Sequence, residues 1–321
     1  MHARERIWVL ALCTATFVAG TTRAAQSEPT TAGPEKIIID TDIGGDIDDA
    51  FAVALALQSP EVRVLGISTV SGDTAARAKI LDRMLGASGR QDIPVAVGIP
   101  TTLPGGAPPI GRQRRFGEGG QFARPVHPPA VQFILEEIHR FPGQITLVTI
   151  GPLTNIGAMI DKDPQAFRQL KRVVMMGCWF KPAAIWGGDT FAPRPETNIV
   201  IDVSAAQKLF QSGVPIYVMP TDATFNLKLD EVKRDALLTK GTPLTDSLAV
   251  LYLMWGAWTP ILWDAMAIGY VVDPQLCPVE PMHVVIDDKG VTRSEPGAPN
   301  AQVCLHSDSE TFFHFYLARF H

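Results

Sequence analysis

Residues 37–57 read I-I-I-D-T-D-I-G-G-D-I-D-D-A-F-A-V-A-L-A-L. The unbroken apolar run Ile37–Ile39 has the pattern of a fully buried strand. Ala50–Leu57 is an alanine-rich apolar run of high helix propensity. Five acids, Asp40, Asp42, Asp46, Asp48 and Asp49, lie within ten residues between the two runs. Gly44 and Gly45 allow the chain to bend there. The acids are therefore expected on a tight strand-to-helix turn.

That many carboxylates in one turn repel each other. A helix N-terminus after Asp48 offers about 0.3–1 kcal/mol at an exposed site, which is too little for the whole cluster. A hard divalent cation does more, because Ca²⁺ takes roughly 6–8 oxygen ligands. The plainer alternative is one acid capping the helix and the others solvated. The spacing is not that of an EF-hand, whose closing Glu is missing.

From Lys36 to about Ala223, apolar strand runs alternate with helical patterns. Strands are expected at 36–40, 62–69, 93–97, 145–150, 172–176 and 214–219, and helices at 49–58, 74–88, 129–140, 153–161 and 203–212. Such alternation predicts an α/β fold with a mostly parallel doubly wound sheet and helices on both faces. Ligands in these sheets bind beyond the carboxyl ends of the strands, where the strand order reverses. The strand ends deliver Asp40 and Asp42, then Ser71, Gly72 and Asp73, then Ile150 with G-P-L-T-N at 151–155, then Thr221 and Asp222. Thr154 is a candidate helix cap. The tail, M-H-V-V-I-D followed by D-K-G and V-T-R, predicts a small C-terminal β-hairpin. A closing helix begins near Asp308.

The acidic stretch resembles the opening of the inosine-uridine-preferring nucleoside hydrolases, a strand followed by D-x-D-P-G-x-D-D-A. Asp40, Asp42, Gly44, Asp48, Asp49 and Ala50 match, while Ile43 replaces the proline and two residues are added before the last Asp pair. Asp46 thus competes with Asp48 for one role. G-P-L-T-N resembles a second block of the family, P-E-T-N-I-V-I-D at 195–202 a third, and L-W-D-A at 262–265 a fourth.

The resemblance implies hydrolysis of the N-glycosidic bond of ribonucleosides to ribose and free base, by a calcium-bound water activated by an aspartate. It implies Asp42 as the base, and Asp42, Asp49, the Ile150 carbonyl and Asp264 as Ca²⁺ ligands. Asp48, Glu196 and Asn198 would bind the ribose. The family often has an Asn where this chain has Thr190, so one sugar contact is missing. Trp263 stands where purine-specific members carry a tryptophan, which implies stacking on a purine, with core packing as its plain alternative. A carboxylate and an amide two residues apart, as in Glu196 and Asn198, share a face if that segment is extended. Asp264 would otherwise be a simple helix cap.

Two other classes compete. One is a non-catalytic calcium-dependent nucleoside or sugar binding protein, against which stands the retained Asp42. The other is an aspartyl phosphatase, against which stands the absence of D-x-D-G-[ST].

Residues 1–24 read as a secretory signal, with Arg4 and Arg6 before the apolar run Ile7–Gly20 and small residues before Ala24. An uncleaved anchor is the alternative. Residues 25–35 read as a polar linker and 36–321 as the catalytic domain. Export to the periplasm or the outside follows. Cys178, Cys277 and Cys304 then leave an odd count, so at least one is free and one disulfide is optional. Nothing else approaches the ~18-residue apolar length of a membrane span. A net charge of −5 argues against a nucleic-acid surface. The expected partner is a small-molecule nucleoside, with a homo-oligomer possible. Gly98–Pro128 is too long for an ordinary connection. Within it, Phe116 is a candidate base-stacking ring, and Arg112, Arg114 and Arg115 suggest a solvated face.

Overall fold

The computed structural model describes residues 33–100, 110–184 and 190–321. The expected signal sequence lies outside the described residues, as does the linker up to Ala32. The first strand begins at Glu35, one residue before the expected start of the domain. Glu35 is fixed there by Lys171 at 2.8 Å and Arg172 at 2.9 Å.

The described strands are β1 (Glu35–Thr41), β2 (Val62–Thr69), β3 (Val95–Ala96), β4 (Ile145–Thr149), β5 (Arg172–Met176), β6 (Ala183–Ala184), β7 (Thr190–Phe191), β8 (Ile216–Met219), β9 (Val279–Met282), β10 (Val284–Ile286), β11 (Thr292–Ser294) and β12 (Ala301–Cys304). The helices are α1 (Asp48–Leu57), α2 (Thr74–Ala87), α3 (Arg114–Glu118), α4 (Ala130–Arg140), α5 (Thr154–Lys162), α6 (Pro164–Phe167), α7 (Thr197–Val200), α8 (Val203–Gln211), α9 (Thr221–Thr224), α10 (Glu231–Leu238), α11 (Pro243–Trp255), α12 (Ala265–Val272) and α13 (Ser309–Leu317).

Eight strands form one sheet in the order β3-β2-β1-β4-β5-β8-β12-β9. All neighbours are parallel except β12 and the edge strand β9. The chain runs outward from β1 to β3, then returns to lay β4 on the other side of β1. The order therefore reverses between β1 and β4, which makes their carboxyl ends the crevice of the sheet.

Side chains of β1 alternate between two cores, as strand geometry requires. Ile37 and Ile39 join the face covered by α1, α2, α11, α12 and α13, which contributes Phe51, Leu81, Leu248, Met266 and Phe312. Ile38 joins the opposite face, with Ile134, Ile156, Phe167 and Leu209 from α4, α5, α6 and α8. Helix α1 is buried from Asp48 to Ala56. A helix apolar all round must lie inside the fold, and this one packs on α12.

Two local expectations are corrected. Thr154 does not cap α5; Leu153 holds the cap position without a side-chain bond, and Thr154 Oγ1 is buried with no partner. Phe116 is no base-stacking ring, because it is buried on α3 beneath the Arg83 guanidinium, 4.3 Å from the ring centre. The tail is more than a hairpin. β10 and β11 pair as expected, but β9 and β12 extend the main sheet beyond β8. Their four-residue runs are too short to announce a partner far away in sequence. The chain between Thr224 and Pro260 carries α10 and α11.

Cys277 and Cys304 form a disulfide with Cα atoms 5.6 Å apart, and Cys178 is free and buried. The bond ties the turn after α12 to β12. No helix among the described residues is long and apolar enough to cross a membrane.

The bridged residues are 27 apart in sequence. A closed loop of that size restricts the unfolded chain by about 3 kcal/mol in the chain-entropy model. A Cys277→Ala/Cys304→Ala double variant is therefore expected to lose about that much unfolding free energy, read as a lower urea midpoint at unchanged slope. An unchanged midpoint in reductant and oxidant alike rules out this contribution.

Candidate active site

β1 delivers the first carboxylates. Asp40 is fully buried, and its Oδ1 accepts from the Ser68 hydroxyl of β2 and from Asn155 Nδ2 at 2.8 Å. Its Oδ2 is buried without a partner. Burial pushes Asp40 up to about 7, against the two hydrogen bonds. Asn155 also donates to Thr69 O at 3.0 Å, and its Oδ1 accepts from Ile99 N at 3.0 Å. One amide thus stitches β1, β2 and the segment after β3 together.

The turn after β1 is held by Arg77 of α2, the largest fully buried side chain of the fold. Its Nε donates to Ser71 O at 2.7 Å, and its Nη1 donates to Ile43 O at 2.8 Å and to Asp42 O. The guanidinium grips main-chain oxygens and leaves the carboxylates free. Gly44 turns the chain with φ +103. Across the crevice, Gly151 lets the G-P-L-T-N turn approach. A Cβ there would lie 2.8 Å from Asp42 N and 3.2 Å from Asp42 Oδ1.

Asp48 and Asp49 open α1, and Asp264 stands at the start of α12. One carboxylate oxygen from each lies within 4.8 Å of the others. Asp49 accepts from the Thr41 hydroxyl, and Asp48 Oδ2 accepts from Asp264 N at 3.3 Å. Asp264 makes no side-chain cap bond to its helix. Its carboxylate therefore faces the other acids and not its own backbone, contrary to the simple-cap alternative. Burial, then mutual repulsion, holds Asp48, Asp49 and Asp264 well above the usual carboxylate range. Asp42 is raised too, by burial, with Arg77 opposing. Asp46 is exposed at the rim, its Oδ1 on Ile47 N at 2.6 Å. Asp48, not Asp46, sits among the buried acids.

Glu196 and Asn198 form another wall. The segment is not extended, as the shared-face argument assumed. Glu196 caps α7, accepting from Asn198 N at 3.0 Å and Ile199 N at 3.3 Å. Asn198 lies inside that helical turn and donates from Nδ2 to Met176 O at 3.2 Å. Both face the cavity because the short helix places them there. Burial lifts Glu196 to about 7, against its backbone hydrogen bonds.

A cavity of about 450 Å³ gathers these groups. Asp42, Asp48, Asp49, Ile150, Glu196, Asn198, Trp263 and Asp264 all line it, so every expected site residue reaches the same space. The rest of the wall went unread in the sequence. Trp179 packs with Ile261, Phe191, Phe225 and Trp263 into an aromatic cluster beside the acids, and Arg77 and Arg194 also reach the cavity. Asp222 anchors the turn carrying Trp179, its carboxylate accepting from Phe180 N at 2.9 Å and Lys181 N at 2.6 Å. Strand-end position marked Asp222, but nothing local marked Trp179 or Arg77. Thr190 belongs to β7, and its side chain lies outside the described residues.

The acids suit a hard divalent cation. Three carboxylates on two helix N-termini share a space that oxygen ligands of one ion could occupy, and the nearby buried cation, Arg77, is committed to carbonyls.

The family model described as inosine-uridine preferring nucleoside hydrolase matches residues 37–314. Uridine nucleosidase 1 of Arabidopsis thaliana is 31% identical over 278 residues, covering 80% of each chain. Non-specific ribonucleoside hydrolase RihC of Klebsiella pneumoniae subsp. pneumoniae is 30% identical over 302 residues, 86% of this chain and 95% of that one. Further relatives, from Schizosaccharomyces pombe and rice, align over 57–63% of their length. The solved structure titled "Plant nucleoside hydrolase - PpNRh1 enzyme" superposes with a TM-score of 0.76 at 26% identity, over 89% of this chain and 99% of that one. The family match spans every strand end that builds the cavity, and the chain belongs to the inosine-uridine preferring nucleoside hydrolases.

Proposed function

We propose that this enzyme hydrolyses ribonucleosides, purine nucleosides preferentially, to ribose and free base. The observation that carries the reading is one cavity with Asp42, Asp48, Asp49 and Asp264 on one side, Glu196 and Asn198 on another, and the Trp179–Trp263 cluster beside them. Asp49 and Asp264 of the close trio, with Asp42 and the Ile150 carbonyl from the same cavity wall, would hold the ion, which we take to be Ca²⁺, and Asp48, the third member of that trio, would be left to the sugar. When bound, Ca²⁺ supplies charge that acidifies water modestly and anchors vicinal hydroxyls.

The chain's own residues do the rest. Asp42 takes a proton from the attacking water, a role for a positioned carboxylate. The water oxygen bonds to C1′ as the C1′–N bond breaks, and the electron pair leaves with the base. Positive charge develops on the sugar ring, where the surrounding carboxylates stabilise it. Asp48, Glu196 and Asn198 hold the ribose hydroxyls. Attack opposite the base inverts C1′. Trp263 gives the base an apolar face, and its place in the aromatic cluster supports the purine preference. The names of several relatives point to uridine instead, so a substrate panel decides.

We also propose that the protein is exported, a reading supported by the Cys277–Cys304 disulfide, since such bonds persist in oxidising compartments.

Asp42→Ala is expected to lower kcat by about 10²–10⁴-fold while inosine still binds in calorimetry. Unchanged ribose release by the variant removes Asp42 as base, and no release by the wild type leaves the non-catalytic binding reading.

In a panel of inosine, guanosine, adenosine and uridine, the purines are expected to lead. Equal turnover of inosine and uridine ends the purine proposal. The 2′-deoxy forms should be rejected by about 10⁴-fold, because the hydroxyl partners would be left unpaired.

Chelation is expected to abolish activity and Ca²⁺ to restore it. Glu196 adds a pH signature. Its folded value near 7 lies above the usual 4.5 of a free glutamate, so the folded protein holds a proton that the unfolded chain has released. That stabilisation is complete below about pH 4.5 and lost as pH rises through about 7. The chelated protein should therefore melt at a lower temperature at pH 8 than at pH 5, with a shallower slope in Glu196→Gln. Identical slopes in the two proteins would contradict the burial of Glu196.

A further inference from the structure

Two guanidinium groups reach the cavity, and they are in different situations. Arg77 is buried, with its donors on Ser71 O, Ile43 O and Asp42 O. Arg194 is exposed, and its guanidinium carbon lies 5.8 Å from the centre of the Trp179 ring. Among the described residues it has no carboxylate partner, although the cavity holds six acids. It is placed by the aromatic cluster of Trp179 and Trp263, two residues before Glu196.

A nucleoside whose ribose lies on the acids and on Glu196 must direct its base toward that cluster. The base then meets the Arg194 fork at the face of Trp179. A guanidinium presents parallel N–H donors in one plane. Two adjacent acceptors on a base edge match it, as O6 and N7 of a 6-oxopurine do. Adenine places an N6 amino donor next to N7, so one arm of the fork meets a donor. Uracil offers isolated carbonyls.

Resting on the hydrolase reading, we propose that Arg194 is a specificity-determining residue that selects 6-oxopurine ribosides, inosine and guanosine, over adenosine by pairing with O6 and N7 of the base. The same contact strengthens during the reaction. As the C1′–N9 bond breaks, its electron pair delocalises into the purine toward N7 and O6. A fixed positive charge there stabilises the leaving base more than the bound substrate. The departing base is protonated from solvent.

The test compares wild type, Arg194→Ala and Arg194→Lys on inosine, guanosine and adenosine, with calorimetric binding of hypoxanthine and adenine to the same calcium-loaded proteins. Arg194→Ala is expected to lower kcat/KM for inosine and guanosine by roughly 10–100-fold, the range of one bidentate base contact. Adenosine should change by less than about threefold, and Arg194→Lys should recover only part of the loss. Hypoxanthine binding should weaken by a similar factor and adenine binding should not. If the wild type hydrolyses these nucleosides and Arg194→Ala slows all three equally, or slows none, the selection proposal is overturned while the hydrolase reading stands. If the wild type hydrolyses no nucleoside, the hydrolase reading fails and this proposal fails with it. A circular dichroism melt matching wild type excludes misfolding, and if Arg194→Ala does not fold, Arg194→Lys and Arg194→Gln carry the same comparison.

Discussion

Like charges packed at the end of β1 set the terms for everything around them. Two unit charges about 4 Å apart repel by roughly 4 kcal/mol at an effective dielectric of about 20. Asp48, Asp49 and Asp264 meet at close to that range and are buried, with Asp42 near enough to add its repulsion. The N-termini of α1 and α12 both face the cluster, but each helix end offsets only about 0.3–1 kcal/mol, up to about 2 when partly buried. The remaining imbalance appears as raised pKa values throughout the cup. Such a site takes up protons or a cation, and either way it stores electrostatic free energy that binding can release.

The scaffold tolerates this because it fixes the backbone and not the carboxylates. Arg77 holds three main-chain oxygens of the turns after β1 and β2. Asn155 ties Asp40 to β2 and to Ile99. Gly151 leaves room for the neighbouring turn to press against Asp42. The acids are then held in place by packing, with their outward lone pairs available to a ligand. A reversal of strand order between β1 and β4 supplies the opening.

The neighbouring wall is built on different chemistry. Trp179 after β5, Phe191 of β7, Phe225 at the end of α9 and Trp263 before α12 converge, and Asp222 pins the turn that carries Trp179. Acids and aromatic rings side by side give the cavity two chemistries. That pairing suits a ligand with a polyhydroxylated end and a flat π-rich end. Aromatic faces hold flat rings through dispersion and quadrupole terms.

Much of this was legible in the sequence, and the parts that were not share a cause. The period and punctuation of the chain determined strands β1 to β5 and β8, the main helices and the acidic strand-end turn, because burial on both faces and helix propensity act locally. The motifs also marked Asp42, Asp49, Glu196 and Asp264. Convergence is a different matter. Asp48 and Asp264 are 216 residues apart and share a hydrogen bond, which no local rule could supply. Phe116 looked like a base-stacking ring and is core, since exposure depends on what α2 places above it. Glu196 and Asn198 share the cavity through a helical turn and not through strand alternation. Arg77, Trp179 and the β9–β12 extension carry no local signature. Sequence fixes which residue types are near which backbone transitions; only the packed tertiary structure decides which of them are desolvated together, because dielectric, charge and partner are properties of the space around a side chain.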